Sequence, residues 1–212
     1  MFVRTRMTAN PFTCEPKTTL PEAMAIMRAH RIRNLPVIED GHLVGVLTSR
    51  DVAAASPSPA TSLSAGEITY LLGKLKVGKI MSRDPVSIGP DALLEEAALA
   101  MRDNKVEMLP VVEDGRVVGV ITESAIFDAF IEVLGFRDHG TRLTLDAIDA
   151  PGVMAKLAET TARHGANIQH LAVYRGQERA TVIVGVNTLN TDALEADLAD
   201  AGFTVLARLV NS

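Results

Sequence analysis

The sequence predicts an α/β (α+β) chain in two parts: a stacked pair of βαββα units, then a βαββαβ domain. Three observations lead there. Residues 7–52 and 81–126, laid over each other without a gap, agree at 18 of 46 positions, so the first part is an internal duplication spaced by 74 residues. Within each copy, apolar residues recur at helical spacing and then in two short runs split by Asp-Gly. Beyond GFRDHG, residues 135–140, the repeat stops and strands and helices follow in a new order.

Each copy opens with a short strand. In the first copy, Leu20, Ala23, Met24 and Met27 then fall on one helical face. Leu35-Pro36-Val37-Ile38 and Leu43-Val44-Gly45-Val46-Leu47 read as strands, and Glu39-Asp40-Gly41 between them reads as a hairpin turn. A second helix follows Thr48, whose hydroxyl suits an N-cap. One copy is too small to cover both faces of its sheet, whereas two stacked copies can. Residues 1–134 therefore form one module: copy one at 5–56, an insert and linking helix at 57–76, copy two at 77–134. Ser, Pro and Ala dominate a loop over 53–66. The helix after it, with Ile68, Leu71, Leu72 and Leu75 on one face, is expected to cap the pair or join a dimer. In the remaining domain, 135–212, TRLTLDAID reads as a strand and PGVMAKLAETTARHG as a helix from Pro151 to Gly165. ANIQHLAVYRG and RATVIVGVN read as strands, TDALEADLADAG as a helix and FTVLARLV as a strand.

Bulk properties exclude several classes. At 212 residues and 47% hydrophobic, the chain is long enough to bury a real core. A net charge of -5 and the absence of basic blocks argue against nucleic acid, since no footprint for a phosphate backbone is present. No apolar run approaches a membrane span or leader, so a cytoplasmic protein without membrane attachment is expected. Cys14 is the single cysteine, which rules out an internal disulfide and leaves a small strand residue as its expected role. The five histidines lack HExxH spacing, and neither a Gly-rich phosphate loop nor a Gly-x-Ser-x-Gly elbow occurs. His164, in the last turn of a helix, suits the helix dipole. Glu39-Asp40 and Glu95-Glu96 suit turns and solvated faces. The chain is therefore expected to be no enzyme, with neither catalytic nor metal-binding residues and no required cofactor.

Leu-Pro-Val, acidic-Asp-Gly, Val-Gly-Val and Thr-x-x-Asp, in that order, resemble the cystathionine-β-synthase (CBS) motif, and two of them resemble the tandem pair called a Bateman module. The βαββαβ order, Asp-x-Pro-Gly at residues 149–152 and Gly-x-Asn-Ile at 165–168 resemble the ferredoxin-like ACT domain. CBS-CBS-ACT as a whole resembles bacterial acetoin-utilisation regulatory proteins. The resemblance implies a homodimeric ligand sensor. Its regulatory ligand would be an adenine nucleotide (AMP, ADP or ATP) or an S-adenosyl compound, and its downstream partner an enzyme. A ligand-free dimeric scaffold regulating such an enzyme is the alternative.

The copies differ at one telling place. GVLTSRDV, residues 45–52, recurs as GVITESAI, residues 119–126, with Ala125 in place of Asp51. A carboxylate at the start of a helix can accept both ribose hydroxyls, with Thr48, Ser49 and Arg50 beside it. Asp51 and Thr48 equally suit a helix cap. The resemblance adds Thr18 and Ala23, at the first helix, and Ile32 and Arg33, before Leu-Pro-Val, as an adenine pocket. It also implies that basic phosphate contacts would come from positions matching Glu107 and Met108, neither of them a cation. One adenosine-type ligand per chain is the expectation. In the last domain, Asp149, Pro151, Gly152 and Val153 open a helix whose backbone N–H groups could receive an amino-acid carboxylate, while Asn167, beside Ile168, could meet the α-amino group. Pro151, Gly152 and Asn167 also suit plain turn roles.

Overall fold

The computed structural model describes residues 1–56 and 64–212, apart from the side chains of Ala65, Ile68 and Thr69. Two compact units result, Met1–Ile126 and Phe127–Ser212. The first contains β1 (Thr8–Ala9), α1 (Leu20–His30), β2 (Asn34–Glu39), β3 (His42–Thr48), α2 (Ser49–Ala55), α3 (Ala65–Lys74), β4 (Ser82–Arg83), α4 (Leu94–Asn104), β5 (Met108–Glu113) and β6 (Arg116–Thr122). α5 (Glu123–Val133) spans the division. β1, α1, β2 and β3 recur 74 residues later at the same bounds, as β4, α4, β5 and β6.

Local chemistry accounts for the repeat. Thr19 caps α1 in a box with Glu22: Thr19 N–H donates to Glu22 Oε2 at 2.8 Å and Glu22 N–H to Thr19 Oγ1 at 3.4 Å. The Thr19 hydroxyl, donating to the same oxygen at 2.7 Å, and then the Thr19 N–H hold the Glu22 carboxyl below its ordinary pKa. The hairpins turn at Asp40-Gly41 (φ 50° and 82°) and Asp114-Gly115 (φ 50° and 78°), the pair of positive angles that favours Asp-Gly. Leu20, Ala23 and Met27 bury with Leu35, Val37 and Leu47, and Met24 packs against them.

Strand exchange departs from the expectation. Each copy's leading strand was expected to head its own unit; instead β1 pairs with β6 and β4 with β3, each completing the other copy's sheet. Glycine permits the approach. A Cβ on Gly45 would stand 2.6 Å from the Met81 sulfur, and one on Gly119 2.6 Å from the Met7 sulfur. The leading segment then returns to its own copy, where Cys14 bridges Val37 and Ile88 bridges Val111. Burial pushes the Cys14 thiol up to about 11, so it is inert at neutral pH.

The insert also differs in part. α2 runs to Ala55, inside the predicted loop 53–66, and residues 57–63 of that loop lie outside the described residues. In α3, Leu72 and its C-cap Leu75 pack on the first copy's core, but Leu71 is 52% exposed. The predicted apolar face is thus narrower than four leucine and isoleucine positions, with Ile68's side chain outside the described set.

The second unit contains β7 (Gly140–Ile148), α6 (Val153–Arg163), β8 (Ile168–Arg175), β9 (Arg179–Val186), α7 (Asp192–Asp200) and β10 (Thr204–Asn211). Its antiparallel sheet runs β10-β7-β9-β8. Leu143, Leu145 and Ala147 of β7 alternate inward with Val182, Val184 and Val186 of β9, against Leu157 of α6 and Leu194 and Leu198 of α7. α6 starts at Val153 rather than Pro151 because Gly152, at φ 86°, forms its N-cap and Pro151 stays in the turn. His164 caps its other end and meets Asp197 of α7 at 2.9 Å, a partner beyond the dipole role. Among the described residues, no helix is long and apolar enough to cross a membrane.

Candidate functional site

Thr48 ends β3 and caps α2, as its position predicts. Its N–H and hydroxyl donate to Asp51 Oδ2 at 2.8 and 2.7 Å, while its Oγ1 accepts from Asp51 N–H at 3.2 Å. The capping role is therefore filled. Asp51 Oδ1 accepts no hydrogen bond from the described residues, so half of this half-buried carboxylate is open to a donor. Ser49 and Arg50 are exposed in the first turn of α2, and Ser49 N–H donates to the Arg33 carbonyl at 2.8 Å. That bond draws Ile32-Arg33 to the same corner as Thr48 and Asp51.

Thr18 and Ala23 are placed differently. Ala23 is fully buried in the core, and Ile32 is half-buried against it. Thr18 accepts from Glu15 N–H at 3.0 Å and lines an open cavity of about 970 Å³ with Cys14, Glu15, Glu22, Glu39 and Lys76. None of Ile32, Arg33 or Thr48 through Asp51 lines it.

The second copy repeats the backbone of the corner with different charges. Glu123 N–H donates to the Glu107 carbonyl at 3.1 Å, as Ser49 does to Arg33. Thr122 Oγ1 accepts from Ala125 N–H at 3.3 Å, and no carboxylate returns the bond. The two corners meet through side chains, Arg33 Nη2 lying 3.4 Å from Glu107 Oε2. Sequence reasoning missed this pair, although its signal was present: Arg33 and Glu107 are counterparts in the repeat. Glu107 thus offsets the charge of Arg33 at Asp51's corner, while Arg50 forms no ion pair among the described residues.

Around the large cavity, too, the copies carry different charges. Gly78 N–H donates to the Pro16 carbonyl at 2.9 Å, and its counterpart Arg4 N–H to the Pro90 carbonyl at 2.8 Å. Arg4 extends a guanidinium to Asp91 at 2.5 Å and Glu113 at 3.7 Å. Gly78 extends nothing.

In the second unit, Asp149, Pro151, Gly152 and Val153 line a cavity of about 510 Å³. Arg175, at the end of β8, joins them and donates to Asp149. It was missed because its cross-strand partner lies 26 residues away in sequence. Asn167 and Ile168 do not line the cavity; Asn167 N–H is bound by the Asn187 side chain at 2.7 Å, and its carbonyl by Asn187 N–H at 3.2 Å. The cavity combines a cation and a helix start with a carboxylate, the two ends a zwitterion needs. Among the described residues, no group of three or more His, Cys, Asp or Glu side chains could hold a metal ion.

Comparison with known proteins follows the duplication. The CBS domain model matches residues 3–58 and again 77–132, together more than half of the chain. A CBS domain-containing protein of Dictyostelium discoideum is 36% identical over 136 residues, 63% of this chain and 94% of that protein. An inosine-5'-monophosphate dehydrogenase of Korarchaeum cryptofilum is 35% identical over 140 residues, 66% of this chain but 26% of the enzyme's length. Among solved structures, a protein assigned to acetoin utilization (AcuB) from Vibrio cholerae superposes with a TM-score of 0.53 at 30% identity, covering 65% of this chain and 96% of that one. The CBS domain pair of MJ0100, in complex with 5'-methylthioadenosine and S-adenosyl-L-methionine, gives 0.51 at 27% identity, covering 61% and 95%. CBSX2 in complex with AMP gives 0.53 at 29% identity, covering 62% and 97%.

Proposed function

Because the chain belongs to the CBS domain family, we propose that it is a regulatory protein that senses an adenosine-containing ligand through its CBS pair. One observation carries this reading: Asp51 stands at the start of α2 with one carboxylate oxygen open, where a ribose diol would find a charged acceptor. Thr48 holds the other oxygen, and Ser49, whose N–H binds the Arg33 carbonyl, brings Ile32 and Arg33 to the same corner. The family resemblance adds Thr18 and Ala23; Ala23 contributes only after its neighbours shift, being fully buried. Structural neighbours that hold AMP, S-adenosyl-L-methionine or 5'-methylthioadenosine support the ligand class. Ala125 limits the stoichiometry to one strong site per chain. The Arg33–Glu107 pair favours a nucleoside or sulfonium compound over a polyphosphate, since Glu107 opposes added negative charge.

The second unit, in this reading, is an ACT domain. Its βαββαβ order and its Asp149–Arg175 cavity support an amino-acid ligand there, with Arg175 and the α6 start taking the carboxylate and Asp149 the ammonium. Asn167 and Ile168, outside that cavity, act in the β8 turn instead. In the same reading the protein works in the cytoplasm as a homodimer and acts on a partner enzyme, as the family resemblance implies, and it belongs with acetoin-utilisation regulators, for which its AcuB neighbour is the support.

Calorimetry of the whole chain with adenosine, AMP, ATP, S-adenosylmethionine and 5'-methylthioadenosine tests the proposal. The expected result is one site per chain for at least one of them. Two equal sites, or none with the chain folded, would sink it, the latter leaving a ligand-free scaffold.

A further inference from the structure

We propose that residues 133–139, from the last residue of α5 to the start of β7, form a proton-gated strap on the open face of the second unit's sheet, with His170 as its clasp. Cross-strand register places the clasp. His170 of β8 lies opposite Gly185 of β9, which lies opposite Arg142 of β7, which lies opposite Leu209 of β10. Their neighbours Leu143, Val184 and Val186 face the helices, so this row faces away from them.

Three side chains from that sheet hold the strap, mostly by its main-chain carbonyls. His170 Nδ1 lies 2.9 Å from the Val133 carbonyl, and its Nε2 meets the Asp138 carboxylate. Arg142 donates to the Leu134 carbonyl at 2.8 Å, and Asn211 Nδ2 to those of Phe136 at 2.9 Å and Asp138 at 3.3 Å. Gly135 crosses the imidazole with backbone alone. At its φ of 61°, a Cβ would stand 2.0 Å from His170 Cδ2.

The proton dependence comes from the partners' chemistry. A carbonyl and an ionised carboxylate have no hydrogen to give, so both ring nitrogens must donate. Only imidazolium does that. Neutral histidine keeps one N–H and turns a lone pair on the other oxygen. Around the ring, Asp138 of the strap favours the charge and Arg142 of β7 opposes it, while Gly135, Gly185 and Asn211 carry none; Arg137 and His139 flank Asp138 in the chain. The strap is therefore tied down in acid. It loosens when the ring gives up that second proton, because one of the two oxygens then faces a lone pair. The chain leaving α5 then changes between a tethered and a free course.

Hydrogen exchange of the amides of 133–139 in the full chain, corrected for intrinsic rates, reads the strap, and ¹⁵N spectra of the ring read the proton. The expected result is a doubly protonated His170 at the acid end, with strap protection at least tenfold higher there than at the alkaline end. His170→Gln should make protection low and flat with pH. Asp138→Asn should move the release to lower pH, because it removes the charge that favours imidazolium. Flat protection in the wild-type chain, an unchanged profile in H170Q, or a singly protonated ring at the acid end would overturn the proposal.

Discussion

In the first copy of the duplicated unit, α2 begins at a threonine bonded three ways to Asp51, whose second oxygen is open. In the second copy, α5 begins at a threonine holding a single 3.3 Å bond from Ala125. The backbones repeat, down to the carbonyl of the residue before β2 or β5 accepting from the first N–H of the following helix. The difference teaches where selection for fold ends and selection for chemistry begins. Buried apolar positions and the charges of the helix start and hairpin turn, Glu22/Glu96 and Asp40/Asp114, are shared between the copies, while the charges at the corner are not. Arg33 answers to Glu107, Asp51 to Ala125 and Gly78 to Arg4. The first exchange reverses a charge, the second removes a carboxylate and the third adds a guanidinium that pairs with Asp91 and Glu113.

If the scaffold is truly shared, the same deep truncation in either copy should cost the same. Leu35 and Leu109 are both fully buried at equivalent places in β2 and β5. Leu35→Ala and Leu109→Ala should each destabilise the first unit by about 2–5 kcal/mol and agree within about 1 kcal/mol. Denaturant unfolding of the two variants checks this. A much cheaper loss in one copy would mean that its core is not equivalent.

Asp51 is the sharper test. Asp51→Ala should weaken adenosine-type ligands by about 1.5–3 kcal/mol, the worth of hydrogen bonds to a charged group, while unfolding stays cooperative. A 2′-deoxy ligand should lose part of the same energy on the wild type. Calorimetry with unchanged affinity in a folded variant would leave Asp51 as a cap alone.

The caps themselves differ, and so should their loss. Thr48→Ala removes the two hydroxyl bonds of a reciprocal box, leaving only the backbone N–H to Asp51, and should cost about 1–2 kcal/mol; Thr122→Ala removes one long bond and should cost less than about 1 kcal/mol. Equal losses in thermal unfolding would show that Asp51's carboxylate adds nothing to the helix start.

What was legible in the sequence divides along the same line. Helices, hairpins and the Thr48 cap come from local patterns: helical spacing around Leu20, Asp-Gly at 40–41 and a threonine before a polar turn. β1 and β4 gave no such signal about their partners, because a two-residue strand holds its place by what it lies against rather than by periodicity. Thr18 and Asp51 were grouped by motif, yet their side chains belong to different surfaces of the first copy. Arg175 escaped notice for a related reason, since only the β8–β9–β7 register carries it to Asp149. The Arg33–Glu107 contact was readable in principle. A two-fold arrangement of repeats brings counterpart positions near its axis together, and opposite charges at counterparts are then a contact prediction.

That pair supports the smallest effect and the most specific one. Both side chains are largely exposed, 71% for Arg33 and 48% for Glu107, so the attraction between them is screened and worth at most about 1 kcal/mol. Glu107→Gln should therefore leave stability nearly unchanged. Its consequence lies in ligand choice. With Glu107 neutral, Arg33 keeps its charge without a partner at the corner beside Asp51, and AMP or ATP should gain severalfold over adenosine. Glu107→Arg should extend that gain and make binding fall more steeply with salt, because an exposed attraction is screened within about 10 Å at 0.1 M. Titration of adenosine, AMP and ATP into the wild type and both variants, at two salt concentrations, measures the order directly. A wild-type chain that already prefers ATP strongly would place the phosphates away from Glu107, with Arg50 the nearest remaining cation in the first turn of α2.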